Sequence, residues 1–126
     1  MRFAYVDTSC LVAIAFGERG ATALARRLER FDERFASNLV EAEFRSAFLR
    51  EGIEREPELL DALSWIVPDR PLSAEIAVVL KAGYVSGADC WHLATALYLA
   101  EQPRDISFVT LDELQRSVAT AIGFRT

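Results

Sequence analysis

The sequence has little of what several common protein classes require. Its two cysteines, Cys10 and Cys90, lie inside apolar segments with no spaced framework around them. That excludes a disulfide scaffold and reads as buried free thiols in a reducing cytosol. There is one histidine, His92, and one lysine, Lys81, so a histidine metal ligand would have no histidine partner and no lysine-rich patch awaits an anionic surface. No apolar stretch approaches the roughly 20 residues of a membrane span. The apolar run after Met1-Arg2 is broken by Asp7 and followed by no small-residue cleavage pattern, so it does not read as a signal peptide. A cytoplasmic protein with no membrane association is expected. Repeats and Pro/Gly/Ser-rich linkers are missing too, and residues 1–126 are expected to form a single domain.

What remains is an ordinary globular composition, 52% hydrophobic and 26% charged. A chain of 126 residues buries roughly two thirds of its unfolded surface, enough for one core without staples. Fourteen basic against nineteen acidic side chains give a net charge of −5. The whole molecule repels polyanions, and a nucleic-acid partner must be held locally.

Phe3 to Val6 reads as a short strand, and Thr8-Ser9 as the cap of a helix from Cys10 to about Phe16. Ala21, Leu24, Ala25, Leu28 and Phe31 recur at helical spacing, with arginines and glutamates mostly opposite. Phe35 to Ser37 reads as a strand, and Asn38 with Glu41 as a capping box opening a helix to about Arg50. Pro57 opens a short helix through Leu63, Trp65 to Val67 extends, and Glu75 to Ala82 is helical. Asp89 to Ala100 forms a helix, Ile106 to Thr110 the last strand, and a terminal helix runs to about Ile122. Strands alternating with helices predict an α/β domain with a mostly parallel sheet and helices on both faces.

Ligands of such sheets gather at the carboxyl ends of the strands. Asp7 and Asp112 each fall just past a predicted strand, Asp89 opens the penultimate helix, and a glutamate lies early in the third helix. Each acid also has a plain explanation: Asp89 and Asp112 suit helix caps. Periodicity does not choose between Glu41 and Glu43, which flank the stripe of Val40, Phe44, Ala47 and Phe48. The competing place of Glu41 in the capping box favours Glu43.

Four segments resemble the motifs of the PIN-domain family, and within it the VapC-type ribonuclease toxins of toxin–antitoxin pairs. Tyr5 to Ala13 is similar to the opening strand and acid. Ser37 to Glu43 is similar to the second motif, whose acid comes six positions after the serine. Ala88 to Ala96 resembles the third and Phe108 to Asp112 the fourth. Cys90, Trp91 and Glu113 depart from the residues usual beside the third and fourth acids, which bears on substrate contact and not on the acids.

The resemblance implies a three-layer α/β/α fold and a Mg²⁺-dependent endoribonuclease, with Mn²⁺ as a substitute. Asp7, Glu43, Asp89 and Asp112 are its implied catalytic residues, and Asp7 and Asp89 the holders of the principal ion. Its implied partners are RNA, a VapB-type antitoxin and a second copy of the chain. Hard cations take carboxylate and water oxygens, and Mg²⁺ often uses only one or two protein carboxylates. Such an ion lowers the pKa of a bound water and neutralises charge on the phosphate. Ser9 and Thr110 read as hydroxyls near such waters or, equally, as a cap and a strand-end hydroxyl.

His92 reads as a structural residue, and Cys10 and Cys90 as core rather than nucleophiles. Arg26, Arg27, Arg30 and Arg34 read as a solvated helix face, with Arg45, Arg50 and Arg55 the better candidates for steering RNA or a partner. Phe31, Phe35, Phe44 and Phe48 read as core residues, and the resemblance offers some of them to a dimer contact or an antitoxin groove. A dehalogenase-like phosphatase is disfavoured by Ser9 where a second acid is needed, and a phosphoacceptor domain by the lack of a strand-end lysine. The alternative that survives is an inactive PIN-fold binding module.

Overall fold

Along β1 (Phe3–Val6) the side chains alternate between two apolar clusters. Tyr5 joins one with Phe108, and Ala4 and Val6 join another with Val109. A strand buried on both faces belongs inside a parallel sheet covered by helices on either side. The computed structural model describes residues 1–54 and 58–126. Within them β2 (Glu33–Ser37), β3 (Ser64–Ile66) and β4 (Ile106–Val109) complete a four-stranded sheet of order β3-β2-β1-β4. Every neighbouring pair is parallel.

One face is covered by α1 (Thr8–Ala15), α2 (Ala21–Glu29) and α3 (Asn38–Arg50), whose Leu11, Leu28, Val40 and Phe44 enter the cluster of Ala4 and Val6. The other is covered by α4 (Ser73–Ala82), α5 (Gly87–Leu99) and α6 (Glu113–Ile122), whose Val79, Leu93 and Val118 enter the cluster of Tyr5 and Phe108. The three-layer α/β/α architecture expected from the sequence is observed. Gly123, at φ 115°, ends α6 in a conformation other residues rarely adopt. The chain then turns back, so that Arg125 exchanges backbone hydrogen bonds with Ile106 and Phe108 along the outer edge of β4.

Several local expectations shift, and the shifts matter at the site. Asp7, not Thr8 or Ser9, caps α1, its carboxylate accepting from the Ser9 N–H. The capping box from Asn38 does not form: Ser37 is the cap, and Glu41 instead meets Arg45 one turn later at 3.0 Å. Asp89 is not a cap, because Ser86 takes that place and accepts from the Asp89 N–H. Asp112 does cap α6, accepting from the Gln115 N–H at 2.7 Å. The expected helix start at Pro57 lies outside the described residues, and a 3₁₀ turn occupies Glu58–Ala62.

Candidate functional site

All four strands present their carboxyl ends to one rim, and the order reverses at β1, with β2 on one side and β4 on the other. The crevice at such a reversal is where open parallel sheets bind ligands. The Asp7 N–H donates to the Val109 carbonyl at 2.9 Å, locking the residue after β1 to the end of β4.

The Asp7 side chain is nearly buried, at 5% exposure. Its Oδ2 accepts from the Ser9 N–H at 3.1 Å and faces the Thr110 hydroxyl at 3.4 Å, and its Oδ1 lies 3.4 Å from Gln115 Nε2. Gln115, wholly buried, also accepts from Thr110 Oγ1 at 2.7 Å and lies 3.4 Å from the Asp89 carbonyl. One amide therefore ties the acid of β1 to the end of β4 and to the first turn of α5. Sequence reasoning missed Gln115, though two signals pointed to it: Asp112-x-x-Gln115 has capping-box spacing, and the glutamine occupies the apolar stripe of Val118 and Ala119.

Asp89 and Asp112 reach the same rim. Burial pushes the Asp89 carboxyl up, and the charges of Asp7 and Asp112 push it further. Ser9 and Thr110 are engaged by protein: Ser9 Oγ accepts from the Leu111 N–H and Thr110 Oγ1 from the Asp112 N–H, each at 3.1 Å.

Glu43, half-buried, reaches the rim from α3. Its Oε1 accepts from Thr8 Oγ1 at 2.9 Å and from His92 Nε2 at 2.6 Å. The same Nε2 lies 3.9 Å from Asp7 Oδ1, so His92 links the two acids. Burial works against the ionised form of Glu43, but the hydrogen bonds from His92 and the Thr8 hydroxyl outweigh it and hold the carboxyl below its ordinary value. His92 is buried at 1% exposure, and its Nδ1 lies 2.7 Å from Tyr5 Oη. It is bonded directly to a candidate site acid.

Other side chains singled out in the sequence have partners of their own or lie in the core. Arg45 and Arg50 each meet a glutamate, Glu41 and Glu51, and Arg55 lies outside the described residues. Glu113 pairs with Arg116, whose other nitrogen donates to the Thr110 carbonyl at 2.6 Å. Phe31, Phe44 and Phe48 are buried in the core, and Phe35 packs partly buried against it. Both cysteines are buried free thiols. Burial, then the Asp7 charge, pushes the Cys10 thiol up to about 12, far from a nucleophile. Among the described residues no helix is long and apolar enough to cross a membrane.

The PIN domain family pattern matches residues 4–121. The chain belongs to the PIN domain family. PIN domains are typically nucleases and generally use divalent metal ions. No curated protein matches the chain.

Whether this PIN domain suits such an ion is a question about its donors. Among the described residues no three His, Cys, Asp or Glu side chains form a compact ligand group, so a closed all-protein cage is absent from them. Mg²⁺ does not need one: it keeps several waters and takes one or two carboxylates. Asp7 and Asp89 are two such carboxylates, on segments that Gln115 joins through contacts of 3.4 Å to each, and this donor set fits an open, water-rich site.

Proposed function

We propose that this PIN domain is a Mg²⁺-dependent endoribonuclease of the VapC type, the toxin of a toxin–antitoxin pair. Mn²⁺ is expected to substitute. The observation that carries the reading is that Gln115 Nε2, at 3.4 Å from both Asp7 Oδ1 and the Asp89 carbonyl, joins the segments bearing these two acids at the strand-order reversal. Like charges gathered at one rim cost stability unless a cation sits among them. Asp7 and Asp89 would hold the ion. Asp112 Oδ1 is committed to its cap, and Asp112 and Glu43 would act through water or orient the attacking nucleophile. A divalent cation there supplies Lewis-acid polarisation of the phosphate and a lower pKa for water. The net charge of −5 gives RNA no long-range attraction, which supports a local ion as the main phosphate contact.

The antitoxin partner, the second copy and the cytoplasmic location belong to the same reading.

The test pairs RNA cleavage with metal binding. The purified chain is expected to cut RNA internally in Mg²⁺ or Mn²⁺, to stop in EDTA, and to lose cleavage on Asp7→Asn while remaining folded. Mg²⁺ at about 100 times its Kd stabilises the fold by about 2.7 kcal/mol. A folded chain that neither cleaves nor shifts its unfolding temperature with millimolar ion is the binding module instead. Sequencing of RNA ends after expression without the antitoxin identifies the cleavage site.

A further inference from the structure

His92 runs from the interior of the sheet to the rim. Inside, Tyr5 Oη accepts from the Ser37 backbone N–H at 3.1 Å and lies 2.7 Å from His92 Nδ1, which the Ser37 hydroxyl also approaches at 3.4 Å. Burial holds the phenol in its protonated form. On the other side of the ring a carboxylate oxygen, which can only accept, lies 2.6 Å from Nε2, so the imidazole carries its proton there and the neutral ring leaves Nδ1 to accept from Tyr5 Oη. That N–H points at Glu43 Oε1, 2.6 Å away, where the Thr8 hydroxyl also donates.

The two oxygens of Glu43 are thus unequal. Oε1 receives both hydrogen bonds, and Oε2 has no hydrogen-bond partner among the described residues, in a side chain that keeps 34% of its surface exposed. A glutamate free to turn about three side-chain bonds loses that freedom whenever it acts. Here the loss is settled in the folded protein, before a ligand arrives.

We propose that His92 is the positioning residue for Glu43: the chain Ser37–Tyr5–His92 fixes one carboxylate oxygen so that the other is presented to the rim. The proposal rests on the nuclease reading, in which Glu43 orients the attacking water. His92 touches neither RNA nor ion in this role and acts through Glu43 alone. Thr8 gives the second fixed point, and two bonds to one oxygen define the plane of the carboxylate as well as its place.

The test uses His92→Leu, His92→Gln and Tyr5→Phe. His92→Leu removes the donor and is expected to lower kcat on RNA on the order of tenfold to a hundredfold, with KM unchanged. His92→Gln restores an N–H at the reach of Nε2 and is expected to recover most of the rate. Tyr5→Phe, which leaves His92 in place, releases Nδ1 and is expected to fall between. A second readout needs no catalysis. His92 is the only histidine, so nitrogen NMR of the imidazole in the metal-free protein reads its tautomer directly, and the Nε2–H form is expected. An Nδ1–H tautomer, or wild-type kcat in His92→Leu, overturns the proposal. A wild-type chain that cleaves no RNA overturns the nuclease reading first and this role with it, whereas an active wild type with an equally active His92→Leu overturns this role alone.

Discussion

Gln115→Leu tests how the rim is built. The change keeps a buried side chain of similar size and removes its hydrogen bonds to Thr110 Oγ1 at 2.7 Å, Asp7 Oδ1 at 3.4 Å and the Asp89 carbonyl at 3.4 Å. A neutral hydrogen bond is worth about 0.5–1.5 kcal/mol and one to an ionised group about 1.5–3. The two long bonds fall at the weak end of those ranges. The Thr110 hydroxyl regains part of its loss by turning to Asp7 Oδ2, 3.4 Å away. The expected net loss is about 2 kcal/mol, or a fall in Tm of about 6–10 °C for a chain of this size. Urea unfolding followed by circular dichroism measures it as a lower midpoint at unchanged slope. A loss below about 0.5 kcal/mol would show that the amide merely fills space. Gln115→Glu separates polarity from volume: it sets a like charge against Asp7, so its folded-state pKa must rise. The damage is then present at neutral pH and shrinks as the solution is acidified.

Two further outcomes follow from the electrostatics. The Asp89 carboxyl is raised by burial and by Asp7 and Asp112, so the folded chain binds that proton more tightly than the unfolded one. The metal-free protein therefore loses stability as pH climbs from the unfolded value through the folded one. Asp89→Asn removes this dependence, and its Tm relative to wild type is expected to rise between about pH 4 and pH 7, checked by thermal melts across that range; a relative Tm that falls refutes the placement. The Cys10 thiol, held up at about 12 and buried, is expected to resist alkylation in the native protein at about pH 8 and to react once urea is added. Rapid native labelling of Cys10, located by mass spectrometry, is the contrary result.

The parts of the site legible in the sequence were those set by local pattern. Asp7 and Asp112 follow short apolar strands, and in a parallel sheet that alone assigns them to one rim. The sequence favours Glu43 over Glu41 on two grounds, the motif resemblance and a capping box, and the capping box does not form. What distinguishes them is tertiary: Glu41 is taken by Arg45 on its own helix, whereas Glu43 faces His92 from another layer. The interior chain of Ser37, Tyr5 and His92 was not legible, because its members come from β2, β1 and α5 and no local spacing relates them. The cap positions slipped by one to three residues for a simpler reason. Adjacent hydroxyls and carboxylates compete for the same end-of-helix N–H groups, and the strand register decides which one arrives there.

Pairing of β4 beside β1 brings together residues 103 positions apart, Asp7 and Thr110. During synthesis Asp7 and Glu43 leave the ribosome long before the strand that must dock next to them. Until residues 106–109 emerge, β1 has an unfilled flank and its acid has no opposite bank. Closing so long a loop is slow relative to local helix formation, so the acid-lined crevice arises in one event that waits on residues 106–109. A nascent fragment, however well its early helices have formed, carries the acids without the place where they meet.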